Sequence, residues 1–141
     1  MNILMRLAFF VVSVTFSVGA IAQERNPKVD FVYVGDEYNC SYCRGWKMFD
    51  LPQLKKEPVF GKITYTEVWK SSSAGIPSAS SMPPGLVSAR DAIAESFGGS
   101  VGTPMFAVLV DGKVVWNWRG VPANEKVIEV LTAALRTREP L

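Results

Sequence analysis

Histidine is missing from the sequence altogether. Its absence excludes Ser-His and Cys-His catalysis and every zinc site that needs an imidazole. Cysteine is nearly missing too: the two present can offer a metal at most two thiolates, where a structural zinc site takes four protein ligands. No metal centre is expected. Charge of one sign is also lacking, with Lys+Arg 15 against Asp+Glu 13 and no long run of like charge, so binding to nucleic acid or a membrane surface through net charge is not expected. What remains is a chain of 141 residues, 48% hydrophobic and 20% charged, which suits one compact domain and leaves no room for a second.

The first segment reads as an address. Residues 1–6 carry one positive charge, residues 7–18 are almost wholly apolar, and Gly19-Ala20-Ile21-Ala22 places small residues where a signal peptidase reads. The apolar run breaks at Gln23-Glu24-Arg25, short of the roughly 20 residues that span a bilayer. The reading is a signal peptide over residues 1–22, removed to leave one domain at 23–141, periplasmic or secreted. Disulfides persist in such compartments. An uncleaved anchor is the alternative.

Residues 29–34 (VDFVYV) form a β-branched and aromatic run, the pattern of a buried central strand. Residues 40–50 read as a helix that Pro52 kinks or ends. Residues 62–69 (KITYTEVW) read as a second strand. The Ser-, Pro- and Gly-rich stretch 71–85 reads as an irregular surface loop. Leu86, Ala89, Ile93 and Phe97 recur at helical spacing before Gly98-Gly99. Residues 105–110 and 113–118 flank Asp111-Gly112, a strong hairpin signal. Asn124 reads as the cap of a last helix whose stripe is Val127, Ile128, Leu131, Ala134 and Leu135. The order β-α-β-α-β-β-α predicts an α/β fold with a four-stranded mixed sheet flanked by helices.

Cys40-Ser41-Tyr42-Cys43 follows the buried strand and opens the first helix, the context in which a Cys-x-x-Cys pair reads as redox-active. Residues three apart on a helix share a face, so the two sulfurs can meet. Unpaired N–H groups at the helix start favour a thiolate at Cys40, the attacking group, leaving Cys43 to resolve the mixed disulfide. Asp36 and Glu37 before the pair and Arg44 and Lys47 after it pull in opposite directions. Other readings are a structural disulfide, for which so short a loop is a poor staple, and two buried apolar cysteines.

These features together resemble the thioredoxin superfamily, from Val29 to about Leu135. The resemblance implies a thioredoxin-like fold and a cis-proline that packs on the cysteines. Thr103-Pro104, just before the third strand, occupies that place, and the residue before the proline pairs with substrate peptide through its backbone. Tyr before the second cysteine and Thr before the proline look most like periplasmic disulfide isomerases and reductases, while Cys-x-Tyr-Cys followed by Trp46 is similar to small periplasmic thioredoxins that maintain sulfur-oxidation enzymes. Two departures stand out. Val34 lies where cytoplasmic thioredoxins carry a buried Asp as proton acceptor, so that role falls to Glu37, water or another group. The isomerases also dimerise through an added N-terminal domain with no counterpart here, which points to a monomer that reduces specific exported partners.

The expected activity is thiol-disulfide exchange on protein cysteines, without a cofactor and with a second redox protein recycling the pair. Ser41 and Tyr42 lie between the cysteines and are expected to tune the potential. Tyr42, Trp46, Thr103 and Pro104 are the expected substrate contacts, with packing the usual role for Trp46, Trp69, Trp116 and Trp118. The alternative is a non-catalytic module of the same fold that holds a partner peptide or a soft metal such as Cu(I).

Overall fold

The computed structural model describes residues 26–137; the expected signal peptide at 1–22 lies outside them. Strand β1 (Val29–Gly35) is buried at every position, as its unbroken apolar run requires of a central strand. It pairs in parallel with β2 (Thr64–Trp69) and antiparallel with β3 (Met105–Val110), which pairs antiparallel with β4 (Lys113–Arg119). The sheet order is β2-β1-β3-β4, the mixed four-stranded arrangement read from the sequence.

Side-chain alternation along β1 builds two cores. Val29, Phe31 and Tyr33 face one side with Cys40, Cys43, Trp46, Leu51, Leu54 and the apolar stripe of the last helix. Val32 and Val34 face the other side with Leu86, Ala89, Ile93 and Phe97. Phe106, from β3, completes the first core: its ring meets Trp46 edge-on at 4.7 Å and stacks on Phe31 at 5.9 Å.

The first helical run begins as α1 (Ser41–Gly45), widens to a π-helical turn over Trp46–Asp50, and resumes as α2 (Leu51–Leu54). Pro52 thus disturbs the helix, as expected, but does not end it, and in that respect the expectation needs correction. Pro52 has no N–H for the carbonyl four residues back. The chain widens before it, with the Leu51 N–H donating to the Trp46 carbonyl, and the proline then falls in the first turn of α2, where no amide is needed.

The second helical region starts as 3₁₀ over Pro84–Ala89 and continues as α3 (Arg90–Ser96). It stops at Gly98 and Gly99, both at positive φ. Asp111 and Gly112 turn the hairpin with φ of 47° and 82°, as a tight primed turn demands. The last helix, α4 (Asn124–Arg136), corrects a second expectation: Ala123 holds the cap position without a side-chain bond, and Asn124 instead donates from Nδ2 to the Asp50 carbonyl at 3.2 Å. That bond ties α4 to the end of the π-helical turn.

Phe106→Ala should cost about 3–5 kcal/mol, the range for truncating a buried aromatic ring. A shift of the urea midpoint at unchanged slope measures it. A loss below about 1 kcal/mol would contradict this packing.

Candidate active site

Three connections leave the same end of the sheet. Gly35, ending β1, lies opposite Trp69 at the end of β2, and Val34 lies opposite Met105 at the start of β3. The loop before Cys40, the loop after Trp69 and the turn through Thr103-Pro104 thus meet at one edge.

Asp36 shapes the first loop. Its Oδ1 accepts the N–H groups of Tyr38 at 2.9 Å and Asn39 at 3.0 Å, an Asx turn that delivers the chain to Cys40. Its Oδ2 accepts the N–H of Ser72 at 2.8 Å and the Ser72 hydroxyl at 2.6 Å. Those bonds, the Ser72 hydroxyl first, hold the carboxyl well below the usual carboxylate range. Both oxygens are occupied by the scaffold, so this charge serves loop geometry.

Cys40 is extended, with φ −116° and ψ 101°, and occupies the N-cap of α1, where its Sγ accepts the Cys43 N–H at 3.0 Å. Serine or aspartate oxygen usually fills that role; here a sulfur fills it. Cys40 and Cys43 are joined as a disulfide with Cα atoms 5.2 Å apart. Cys43 is 1% exposed and Cys40 5%, so both cysteines are buried, Cys40 slightly less than Cys43. Ser41 and Tyr42 between them are exposed, Tyr42 at 71%.

The flanking cations are engaged. Arg44 reaches back to the Tyr38 carbonyl at 3.3 Å, and Lys47 pairs with Glu67 at 3.1 Å while sitting 4.5 Å over the Trp69 ring. Val34 packs in the second core, away from the cysteines. Tyr33 of β1, one position before Val34, does share the cysteines' core. Burial first, then the charges of Glu67 and Asp36, push its phenol well above the ordinary range, so it stays protonated. Its ring folds over Gly35, where a Cβ would collide with the phenol.

The Thr103-Pro104 peptide bond is cis. Pro104 is buried, and its carbonyl accepts the Gly120 N–H at 2.9 Å. The Thr103 hydroxyl lies 3.1 Å from that of Ser72. Trp46 does not fit a role as substrate contact: it is wholly buried, packed among Phe31, Tyr33 and Phe106, and holds the helix from beneath. Trp116 and Trp118 stack at 6.2 Å on β4, with Trp118 46% exposed.

Two residues of this edge, Ser72 and Lys70, carry no signal as site residues in the sequence, and a third, Asp36, carries a different one. Ser72 belongs to a stretch read only as surface loop. Lys70, nearly buried, donates from Nζ to the carbonyls of Ser71 at 3.1 Å, Ser72 at 3.4 Å and Ala74 at 2.5 Å; burial lowers its pKa and Asp36 opposes the shift. Asp36 reads from sequence as a charge beside the thiols, and its hydrogen bonding is visible only in three dimensions.

No protein-family model matches the chain, and no curated protein does. Among solved structures, thioredoxin f2 from Chlamydomonas reinhardtii superposes with a TM-score of 0.50 at 13% identity, over 82% of this chain and 86% of that one. The periplasmic thioredoxin SoxS from Paracoccus pantotrophus, in its reduced form, gives 0.49 at 15% identity, over 77% of this chain and 96% of that one. Fasciola hepatica thioredoxin gives 0.47 at 17%, over 76% and 81%.

Asp36 sets a dependence on acid. A carboxyl whose folded pKa lies below its unfolded value contributes stability above the unfolded pKa and loses it as pH falls toward the folded one. Between about pH 5 and pH 2 the urea midpoint of wild type should fall, and Asp36→Asn should be less stable at pH 5 with a flatter decline. Parallel declines would contradict the carboxylate's role. The fold is thioredoxin-like, and its Cys-x-x-Cys disulfide stands where the first strand hands over to the first helix.

Proposed function

We propose that the protein is a thiol-disulfide oxidoreductase acting on protein cysteines, and that it works as a reductase of specific exported partners. One observation carries the reading: Cys40 and Cys43 form a disulfide at a helix entrance, with the Cys43 N–H directed at the Cys40 sulfur. An N–H aimed at Sγ stabilises negative charge there, which a nucleophilic or leaving thiolate needs.

In the reduced protein the Cys40 thiolate attacks one sulfur of a substrate disulfide. A Cys40–substrate disulfide forms and the other substrate sulfur leaves as thiolate. Cys43, deprotonated, then attacks Cys40 Sγ, expels the second substrate thiolate and restores the intramolecular disulfide. Two electrons pass from the cysteine pair to the substrate, and a partner dithiol returns them. The near-complete burial of Cys43 reserves it for the second attack.

Thr103 offers its backbone to the substrate peptide beside Pro104, and exposed Tyr42 meets the substrate surface and tunes the pair together with Ser41. Residues 1–22 act as a removable export signal, and the mature chain works as a monomer in the periplasm or outside the cell, recycled by another redox protein.

Insulin reduction with dithiothreitol as electron source tests the reading. Wild type should accelerate it, Cys40→Ser should abolish the acceleration, and Cys43→Ser should accumulate a mixed disulfide visible by non-reducing mass spectrometry. If wild type gives no acceleration and Cys43→Ser traps nothing, the oxidoreductase reading is wrong, and binding of peptide or Cu(I) by an unreactive module takes its place.

A further inference from the structure

Ser72 joins two loops whose side chains make no direct hydrogen bond in the described residues. On one side stands the Asp36 loop that carries Cys40; on the other stands the turn through Thr103-Pro104. The Ser72 backbone N–H and hydroxyl both donate to Asp36 Oδ2, and the Ser72 carbonyl accepts the Gly102 N–H at 2.7 Å. The Ser72 and Thr103 hydroxyl oxygens are 3.1 Å apart. An ionised carboxylate only accepts, so the Ser72 hydrogen is committed to Asp36 and the Thr103 hydroxyl must be the donor to Ser72 Oγ.

The chain of donors therefore runs one way, from Thr103 through Ser72 to Asp36. Lys70 fixes the loop from inside through three carbonyls, and the Lys70 N–H donates to the Gly35 carbonyl at 3.0 Å. Ser72 is itself only part-buried, so its order comes from these bonds more than from apolar packing. The Thr103 hydroxyl is engaged by Ser72, and the adjoining Gly102 N–H is tied to the same residue, so the turn before Pro104 is bound to the loop that also holds Asp36.

We propose that Ser72 is a positioning residue for protein substrates: through Thr103 and Asp36 it sets the distance between the peptide dock and the Cys40 sulfur. The inference rests on the thiol-disulfide exchange proposed above. A substrate held at both Thr103 and Cys40 needs that distance to be right, because a covalent step tolerates little misplacement. A small disulfide that touches only Cys40 does not.

The test compares reduced protein acting on insulin with the same protein acting on 5,5′-dithiobis(2-nitrobenzoate), a small aromatic disulfide. Ser72→Ala removes the hydroxyl and keeps the backbone bonds. Its kcat/KM for insulin, divided by the rate constant for the small disulfide, should fall about tenfold, the low end expected for loss of a hydrogen bond to a charged group. Thr103→Val should lower the same ratio, and the double variant should be no worse than the worse single one, since both changes break one chain of bonds.

Losses that multiply in the double variant would show that Ser72 does not act through Thr103 and would overturn the proposal. So would a parallel fall on both substrates, the mark of general destabilisation, or no fall at all. A wild type that reduces neither disulfide would instead defeat the exchange reaction itself, and the inference with it.

Discussion

The hydrogen bond from the Cys43 N–H to the Cys40 sulfur is the constraint around which the rest of the molecule is arranged. It is a helix cap and a site at once. A helix start leaves amides without partners, and a cap residue normally satisfies one with oxygen. Putting sulfur there joins the two: the N–H that begins the helix is also directed at the sulfur proposed as the attacking atom. Everything nearby keeps that sulfur in place. Asp36 orders the turn into it, Trp46 anchors the helix on Phe106 and Tyr33, and the widened turn before Pro52 lets the helix run on to Leu54 and bury it.

The two cores divide the labour. The core under the helix, built on Phe31, Tyr33 and Phe106, holds the cysteines from below. The core on the other face, built on Val32, Val34, Ile93 and Phe97, carries the long connection that brings the chain from β2 round to Pro104. Both rest on β1, so the disulfide loop and the proline turn are referenced to one rigid element. Ser72 links the two further through its bonds to Asp36 and Gly102 and its contact with Thr103.

The parts legible in the sequence were those with local causes. Alternation and β-branching announced β1, Asp111-Gly112 announced the hairpin, and the spacing of Cys40 and Cys43 after a buried strand announced the disulfide. Long-range causes left no such trace. Asp36 and Ser72 are 36 positions apart and Ser72 and Thr103 are 31 apart, so a serine among serines offered nothing to single it out. Trp46 reads from sequence both as packing and as a substrate contact because it lies just after Cys43, and its burial favours the packing role. Pro52 announced a break in α-helical bonding but not its form, a widened turn after which the helix continues to Leu54. Asn124 misled because a cap-forming residue found a better partner across the fold, at Asp50.

The two sulfurs have unequal roles in the proposed exchange, and alkylation of the reduced protein with one equivalent of iodoacetamide at neutral pH reads that inequality directly. Peptide mass analysis should find the carboxamidomethyl group on Cys40, with Cys43 left free. Label shared equally between them, or found first on Cys43, would contradict the assignment of the capping sulfur as the nucleophile.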